Sequence, residues 1–359
     1  MVLERTSVGL DVHARSVVAG VLDTATGELW SRRLPAASEA VVAWTVSLPG
    51  PVAVAYEAGP TGFGLARALE AVGVRCVVVA PSKLERPAGD RVKTDRRDAE
   101  RLARLLAIEE LPEVRVPSEA EEAARDLVRA REDARVDLMR ARHRLSKLLL
   151  RHGLVFEAAA RTRAHDRWLH QLRFDQAGLR VAFEEADGAV LAAGARRDRL
   201  DLAIAELAAT PAWAPLVRRL GCLRGVGVLT AFGLAVEVGD WHRFTGATIG
   251  AFLGLVPSEH SSGAQRVQGS ITKTGNSHAR RLLVEAAWHH RKPYRPSVPL
   301  QRRQAGQPAV VRERAERGNR RLHQRWRRLD ARGKRSTVSA VAVARELAGW
   351  CWSLAILEA

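Results

Sequence analysis

Residues 7–23, SVGLDVHARSVVAGVLD, read as two β-strands around a polar turn at His13–Ser16. The apolar positions are mostly β-branched, and one carboxylate, Asp11, interrupts the first run. The turn TATGE (24–28) leads to a third strand in ELWSRRL (28–34). A helix over about 38–48 precedes the strand PVAVAYE (51–57). Gly59, Pro60 and Gly62 punctuate the chain before a helix in GFGLARALEAVG (62–73). VRCVVVAP (74–81) is short and β-branched enough for a buried strand. Three strands in a meander, then helix, strand, helix, strand, is the order of the ribonuclease-H-like fold. The expected fold class is therefore an α/β N-terminal domain with a mixed sheet, followed by a helical coiled-coil region and a mainly α C-terminal domain. The expected boundaries are 1–115, 116–208 and 209–359.

At 359 residues the chain is long enough for two or three domains. Lys and Arg number 57 against 40 Asp and Glu, a formal charge of +17. Such a field favours a polyanionic partner, nucleic acid before an acidic membrane surface. Most of the positive charge is arginine, whose planar fork suits phosphate, although a GC-rich genome also enriches arginine. Cys76, Cys222 and Cys351 have no paired spacing, which argues against disulfides and a zinc site. No apolar run is long enough to span a bilayer and no signal-peptide pattern opens the chain, so a cytoplasmic protein is expected.

On this basic chain four carboxylates stand out: Asp11, Glu57 at the end of PVAVAYE, and Asp95 and Asp98 in VKTDRRDAERLARLLA. In a ribonuclease-H-like sheet a carboxylate on the first strand lies beside one at the end of the fourth. Asp95 and Asp98, three apart, share a helix face. Oxygen ligands favour Mg²⁺ or Mn²⁺, which serve phosphoryl transfer. The plainer alternative makes Asp95 an N-cap and Asp98 its capping-box-like partner, with Asp11 in a turn and Glu57 in solvent.

From about 118 to 151, Leu127, Ala134, Leu138, Ala141, Leu145 and Leu148 form a helical seam. Val190, Ala193, Leu200, Ile204 and Leu207 form another. They fit an antiparallel hairpin, an intermolecular coiled coil or ordinary packing within the chain. LRGVGVLTA (223–231) places Gly225 and Gly227 between helical runs, as in a helix-hairpin-helix turn that holds a DNA phosphate on backbone N–H groups. SEHSSGAQRVQGSITKTGN (258–276) carries Ser261 and Ser262 before Gly263, among Arg266, Lys273, Arg280 and Arg281. Taken alone this is a phosphate-binding loop with a capping serine; a nucleophilic serine needs a held, activating geometry. His289 and His290 read as surface or phosphate-contact residues. The basic block 312–335, with Trp326, reads as a nucleic-acid surface or a solvated helix face.

The motifs GLDVH, AYEAGPTGFGLARAL, VKTDRRDAERLARLL, LRGVGVLTA, GAFLGLVPSEHSSG and GSITKTGNSHARRLLVEAAW occur in an order that resembles the DEDD transposases of the insertion-sequence family called "one-ten", in particular its "eleven-eleven" branch. Pilin-gene inverting recombinases are related to it. The resemblance covers nearly the whole chain except 296–320. It implies a RuvC-like domain binding Mg²⁺ through Asp11, Glu57, Asp95 and Asp98, a coiled-coil linker, and a C-terminal domain whose catalytic serine is Ser262. It further implies a covalent phosphoserine intermediate, an active site shared between protomers of a tetramer, and a non-coding guide RNA pairing with donor and target DNA. The rival readings are a metal-dependent structure-specific nuclease, which would not use Ser262, and a non-catalytic nucleic-acid-binding coiled-coil protein.

Overall fold

The structure is a computed structural model and describes residues 4–84, 94–262 and 265–357. It contains two compact units, Met1–Ser118 and Glu119–Ala359.

The first unit comprises β1 (Thr6–Val12), β2 (Ser16–Asp23), β3 (Leu29–Pro35), α1 (Ser38–Val46), β4 (Val52–Glu57), α2 (Gly64–Ala71), β5 (Arg75–Val79) and α3 (Asp95–Ala107). The sheet order is β3-β2-β1-β4-β5. β1, β2 and β3 are antiparallel, and β4 joins β1 and β5 in parallel. This is the ribonuclease-H-like arrangement expected from the strand order.

Side chains alternate across the sheet and so feed two layers. Val8, Leu10, Val54 and Tyr56 pack on one face with Leu65 and Leu69 of α2. Ala53, Ala55, Val77 and Val79 pack on the other with Leu102 and Leu106 of α3. Two glycines let α3 approach closely. Gly9 and Gly20 are cross-strand partners on β1 and β2. A Cβ on Gly9 would lie 2.1 Å from the Ala99 carbonyl oxygen, and one on Gly20 2.5 Å from the Glu100 nitrogen. The helix backbone thus rests on bare strand backbone.

In the second unit α4 (Glu119–Arg151), α5 (Arg163–Gln171) and α6 (Ala177–Ala208) come first. Arg131 Nε bonds Asp201 Oδ1 at 2.6 Å and Arg196 Nη1 bonds Asp137 Oδ2 at 3.2 Å. The crossed register makes α4 and α6 an antiparallel pair within one chain. Ala124, Val128, Ala134, Leu138, Ala141, Leu145 and Leu149 are the buried stripe of α4. The predicted Leu127 and Leu148 sit at its margin, half-buried. α6 leaves Val181, Leu191 and Leu202 exposed.

The remaining elements are α7 (Ala214–Leu220), α8 (Val228–Val238), α9 (Thr248–Phe252), β6 (Pro257–Ser262), β7 (Gln265–Ile271), α10 (Ser277–Ala287), α11 (Val298–Gln304), α12 (Ala309–Ala331) and α13 (Ser336–Ala355). α8, α10, α12 and α13 share one apolar core. Three expectations change here. The serine segment is a β-hairpin rather than an open loop, because EHSS and QRVQ pair in antiparallel register. His290 is fully buried, and burial, then the nearby Arg224 charge, push its pKa down to about 3; it is no surface residue. Trp326 is also fully buried, in tilted ring contact with Trp288 and with its Nε1 donating to Asp330, so it belongs to the core and not to the basic face. Among the described residues no helix is long and apolar enough to cross a membrane.

Candidate active site

β1 and β4 run parallel with Leu10 opposite Tyr56. Strand alternation then places Asp11 and Glu57 beside each other on the face that α3 covers, at the C-terminal ends of their strands. Asp95 opens α3, whose N-cap is Thr94; the Thr94 hydroxyl accepts from Arg97 N at 3.3 Å. Asp95 is therefore the first helical residue and not the cap. The third helical position is Arg97, so Asp98 is not a capping-box partner.

Asp11 and Asp95 meet through a residue that sequence reasoning left in a turn. His13 Nε2 lies 3.3 Å from Asp11 Oδ2 and 3.8 Å from Asp95 Oδ2. One ligand atom from each of Asp11, His13 and Asp95 falls within 4.8 Å of the others. His13 lies one residue past the end of β1, in the turn to β2, so no strand alternation tied it to the face of Asp11. Glu57 and Asp98 line an adjoining pocket with Pro81, Leu84 and Arg101. Burial raises the Asp11 pKa; His13 opposes that, and the Asp95 and Asp98 charges reinforce it. A crowded set of acids with an imidazole fits a divalent cation, which would relieve the repulsion. The carboxylates suit Mg²⁺, and the imidazole adds a donor that Mn²⁺ accepts readily.

The serine hairpin lies in the second unit. Ser262 ends β6 opposite Gln265, and Gly263 lies outside the described residues. The two serines differ. Ser261 Oγ donates to Glu259 Oε1 at 2.9 Å, whereas the Ser262 hydroxyl makes no hydrogen bond among the described residues. Arg266 grips both oxygens of Glu259. That grip, with donors from Ser261 and Gln268, holds the exposed carboxyl at about 2.

The hairpin has a rigid base. A Cβ on Gly275 would lie 2.0 Å from Phe252 O, and one on Gly254 2.3 Å from Thr274 O. Arg280 Nη1 donates to Leu253 O at 3.0 Å and to Thr274 O at 2.9 Å. Arg281 pairs with Glu132 and Glu285. Both arginines are thus engaged within the protein, while Lys273 is exposed. Beneath them Glu237 accepts from Asn276 Nδ2 at 2.6 Å, meets His278 Nδ1 at 3.2 Å and accepts from Arg129 at 3.3 Å. Burial would raise the Glu237 pKa, but these donors outweigh it and hold the carboxyl at about 2. No motif pointed to Glu237, which sits in the apolar run LAVEV.

The glycine turn is equally constrained. Gly225 has φ +83, and a Cβ there would lie 2.5 Å from Ala286 O. Gly227 N-caps α8 without a side chain. Asn319, fully buried on α12, accepts from Arg224 N at 2.8 Å and donates to Cys222 O at 3.2 Å. Sequence reading passed over Asn319 because it sits in the arginine-rich block.

A ribonuclease-H-like sheet carrying this acidic edge defines a phosphoryl-transfer enzyme acting on nucleic acid. Residues 8–153 match the IS110-type DEDD model described as "Transposase", and residues 217–298 match the model described as "Transposase IS116/IS110/IS902 family". The chain is 44% identical over 304 residues to the Sinorhizobium fredii protein named "Putative transposase y4qE", covering 84% of this chain and 74% of that one. It is 32% identical over 337 residues to the Leptospira borgpetersenii transposase for insertion sequence element IS1533, covering 91% and 97%. Over 71 residues, 20% of each chain, it is 44% identical to the Coxiella burnetii transposase for insertion sequence element IS1111A. The chain belongs to the IS116/IS110/IS902 family of transposases. It is a bacterial insertion-sequence transposase, an enzyme whose partner is DNA, and its family and acidic group together indicate divalent-metal use.

Proposed function

We propose that this transposase cuts and rejoins DNA through the hydroxyl of Ser262, assisted by Mg²⁺ or Mn²⁺ at Asp11, Glu57, Asp95 and Asp98. The observation that carries the reading is the meeting of Asp11, His13 and Asp95 at the end of β1 in a chain of this family. The bound cation supplies charge neutralisation at the phosphate. The protein's own groups do the rest. The Ser262 oxygen attacks phosphorus, forming a serine–phosphate ester; the phosphorus bond to one deoxyribose oxygen breaks and that oxygen leaves as a hydroxyl with a proton. A deoxyribose hydroxyl of another strand reverses the step and frees Ser262, so no external energy source is needed. The Ser262 hydroxyl has no hydrogen bond among the described residues whereas that of Ser261 is occupied, which supports the assignment.

Arg266, Lys273 and the turn at Gly225 and Gly227 contact nucleic acid, and Arg280 and Arg281 hold the hairpin in place. Donor and target DNA are aligned by a guide non-coding RNA of the element, to which the net charge of +17 is suited. The chain works as a homo-oligomer, dimer to tetramer; the exposed apolar side chains Val181, Leu191 and Leu202 on α6 support this. In domain terms, 1–115 holds the acids, 116–208 links, and 209–359 holds the serine.

Ser262→Ala tests the reading. It should retain DNA binding and lose any denaturation-resistant protein–DNA adduct; an adduct that persists would sink the assignment. Asp98→Asn should lose strand cleavage, and full activity would remove Asp98 from the site.

A further inference from the structure

Two basic pockets adjoin around the glycine turn of the second unit. One is lined by Arg224, Gly225, Gly227, His289, Arg295 and Arg303, among others. The second is lined by Arg218, Gly221, Val228, Arg302, Arg303 and Gly306, among others. Arg303 belongs to both, and among the described residues no carboxylate lines either. Arg218, Arg295 and Arg302 are exposed, and their side chains make no hydrogen bond or ion pair among the described residues. Arg303 is half-buried and donates from Nε to Gly221 O at 2.9 Å. Its Nη groups have no partner among the described residues.

The turn between these pockets is held from behind. Arg303 takes Gly221 O, Gln304 donates to Cys222 O at 3.1 Å, and Asn319 engages Arg224 N and Cys222 O. These anchors lie in the stretch 296–320, to which no recurring motif gave a role. Guanidinium groups gathered without acids repel one another until an anion joins them. A guanidinium shared by two pockets can offer N–H groups to an anion on either side.

We propose that the two pockets form one track for the sugar-phosphate backbone of substrate DNA. Successive phosphates occupy them, with Arg303 between. A Cβ on Gly227 would meet nothing within 4 Å, so the DNA backbone can come close to the N–H groups that begin α8, while Gly225 lets the turn pack against Ala286. The track grips without reading bases, since its donors are guanidinium and backbone groups placed for phosphate. The inference rests on the proposed nucleic-acid contact at Gly225 and Gly227 and extends it to the arginines of α7, α11 and the preceding loop.

The test compares the full-length protein with Arg295→Ala/Arg302→Ala, neither residue having a partner among the described residues. Binding to unrelated duplex DNAs is titrated against salt, beside a single-stranded RNA of equal length. Every phosphate that the protein no longer neutralises should reduce the slope of log affinity against log salt by about 0.9. The double variant should therefore show a slope shallower by about 2, an equal affinity loss on every duplex and an unchanged melting temperature. On the single-stranded RNA the slope should fall by less, about 1.4, since each phosphate neutralised on a single strand contributes about 0.7. An unchanged slope on duplexes that the parent protein binds would overturn the track alone. Loss confined to RNA would assign the pockets to RNA and overturn the proposal. Failure of the parent protein to bind duplex DNA would overturn both the track and the contact on which it rests.

Discussion

Asn276 Nδ2 donates to Glu237 Oε2 across 2.6 Å, and the Glu237 side chain has no exposed surface. Asn276 also caps α10, its Oδ1 accepting from Ala279 N at 2.9 Å. One asparagine thus joins the end of α8 to the start of α10, immediately beyond the serine hairpin. Arg129 brings α4 to the same carboxyl.

Replacing Glu237 by alanine leaves Arg129, Asn276 and His278 without their acceptor. Loss of one partner from a buried charged set costs about 3–5 kcal/mol. Glu237→Ala should therefore melt well below the parent in calorimetry. The pH dependence has a definite sign. The folded pKa of about 2 lies below the ordinary 4.5. The stabilisation is complete above pH 4.5 and fades as pH falls toward 2. The gap in melting temperature between parent and Glu237→Gln should shrink below pH 4.5; a constant gap would show that the carboxylate charge is not what stabilises.

His13 should discriminate between cations. Saturating Mn²⁺ or Mg²⁺ stabilises the fold according to its affinity, by about 2.7 kcal/mol at a hundredfold excess over Kd. His13→Ala should weaken the Mn²⁺-induced rise in melting temperature more than the Mg²⁺-induced one. Asp95→Asn should reduce both. Equal losses for the two ions in His13→Ala would place the imidazole outside the coordination shell.

The exposed apolar residues of α6 should govern assembly. Val181→Ser/Leu191→Ser/Leu202→Ser removes three exposed apolar side chains without touching the α4 seam. Sedimentation should show smaller species with unchanged helical content. An unaltered oligomer would mean that association uses another face.

Asn319→Ala should loosen the glycine turn. Arg224 N and Cys222 O would lose buried partners, at about 1–3 kcal/mol. Hydrogen exchange at residues 222–227 should accelerate more than exchange in α13; uniform acceleration would indicate general destabilisation instead.

The sheet was legible because its strands are short, mostly β-branched apolar runs and every break after the polar turn HARS carries a glycine or proline. The meander and crossovers follow from the order of strands and helices, and the placing of Asp11 beside Glu57 needs the register of β1 on β4 as well. Asp95 and Asp98 were legible as a pair, but two side chains three apart satisfy both a helix cap and a metal site. Only the position of Thr94 separates these locally. His13 was overlooked because a histidine beside a turn has no period to betray it. The hairpin around Ser262 was hidden by polar residues on both faces, which leave alternation without contrast. Glu237 and Asn319 were invisible because their partners lie far off in sequence: Asn276, 39 residues away, and Cys222, 97 away. Burial of a polar group is set by tertiary structure, and no local pattern announces it.

The bare crossing of α3 over Gly9 and Gly20 bears on how copies of a mobile element lose function. A single methyl at either glycine cannot be housed without lifting the helix that carries Asp95 and Asp98. Overpacking of this kind costs about 1–3 kcal/mol, so the chain can still fold with its acids displaced from Asp11. Such a copy would retain every carboxylate and the serine, and a census of those residues would count it as intact. Among decaying copies of such elements, these two glycines are where silent inactivation should be sought first.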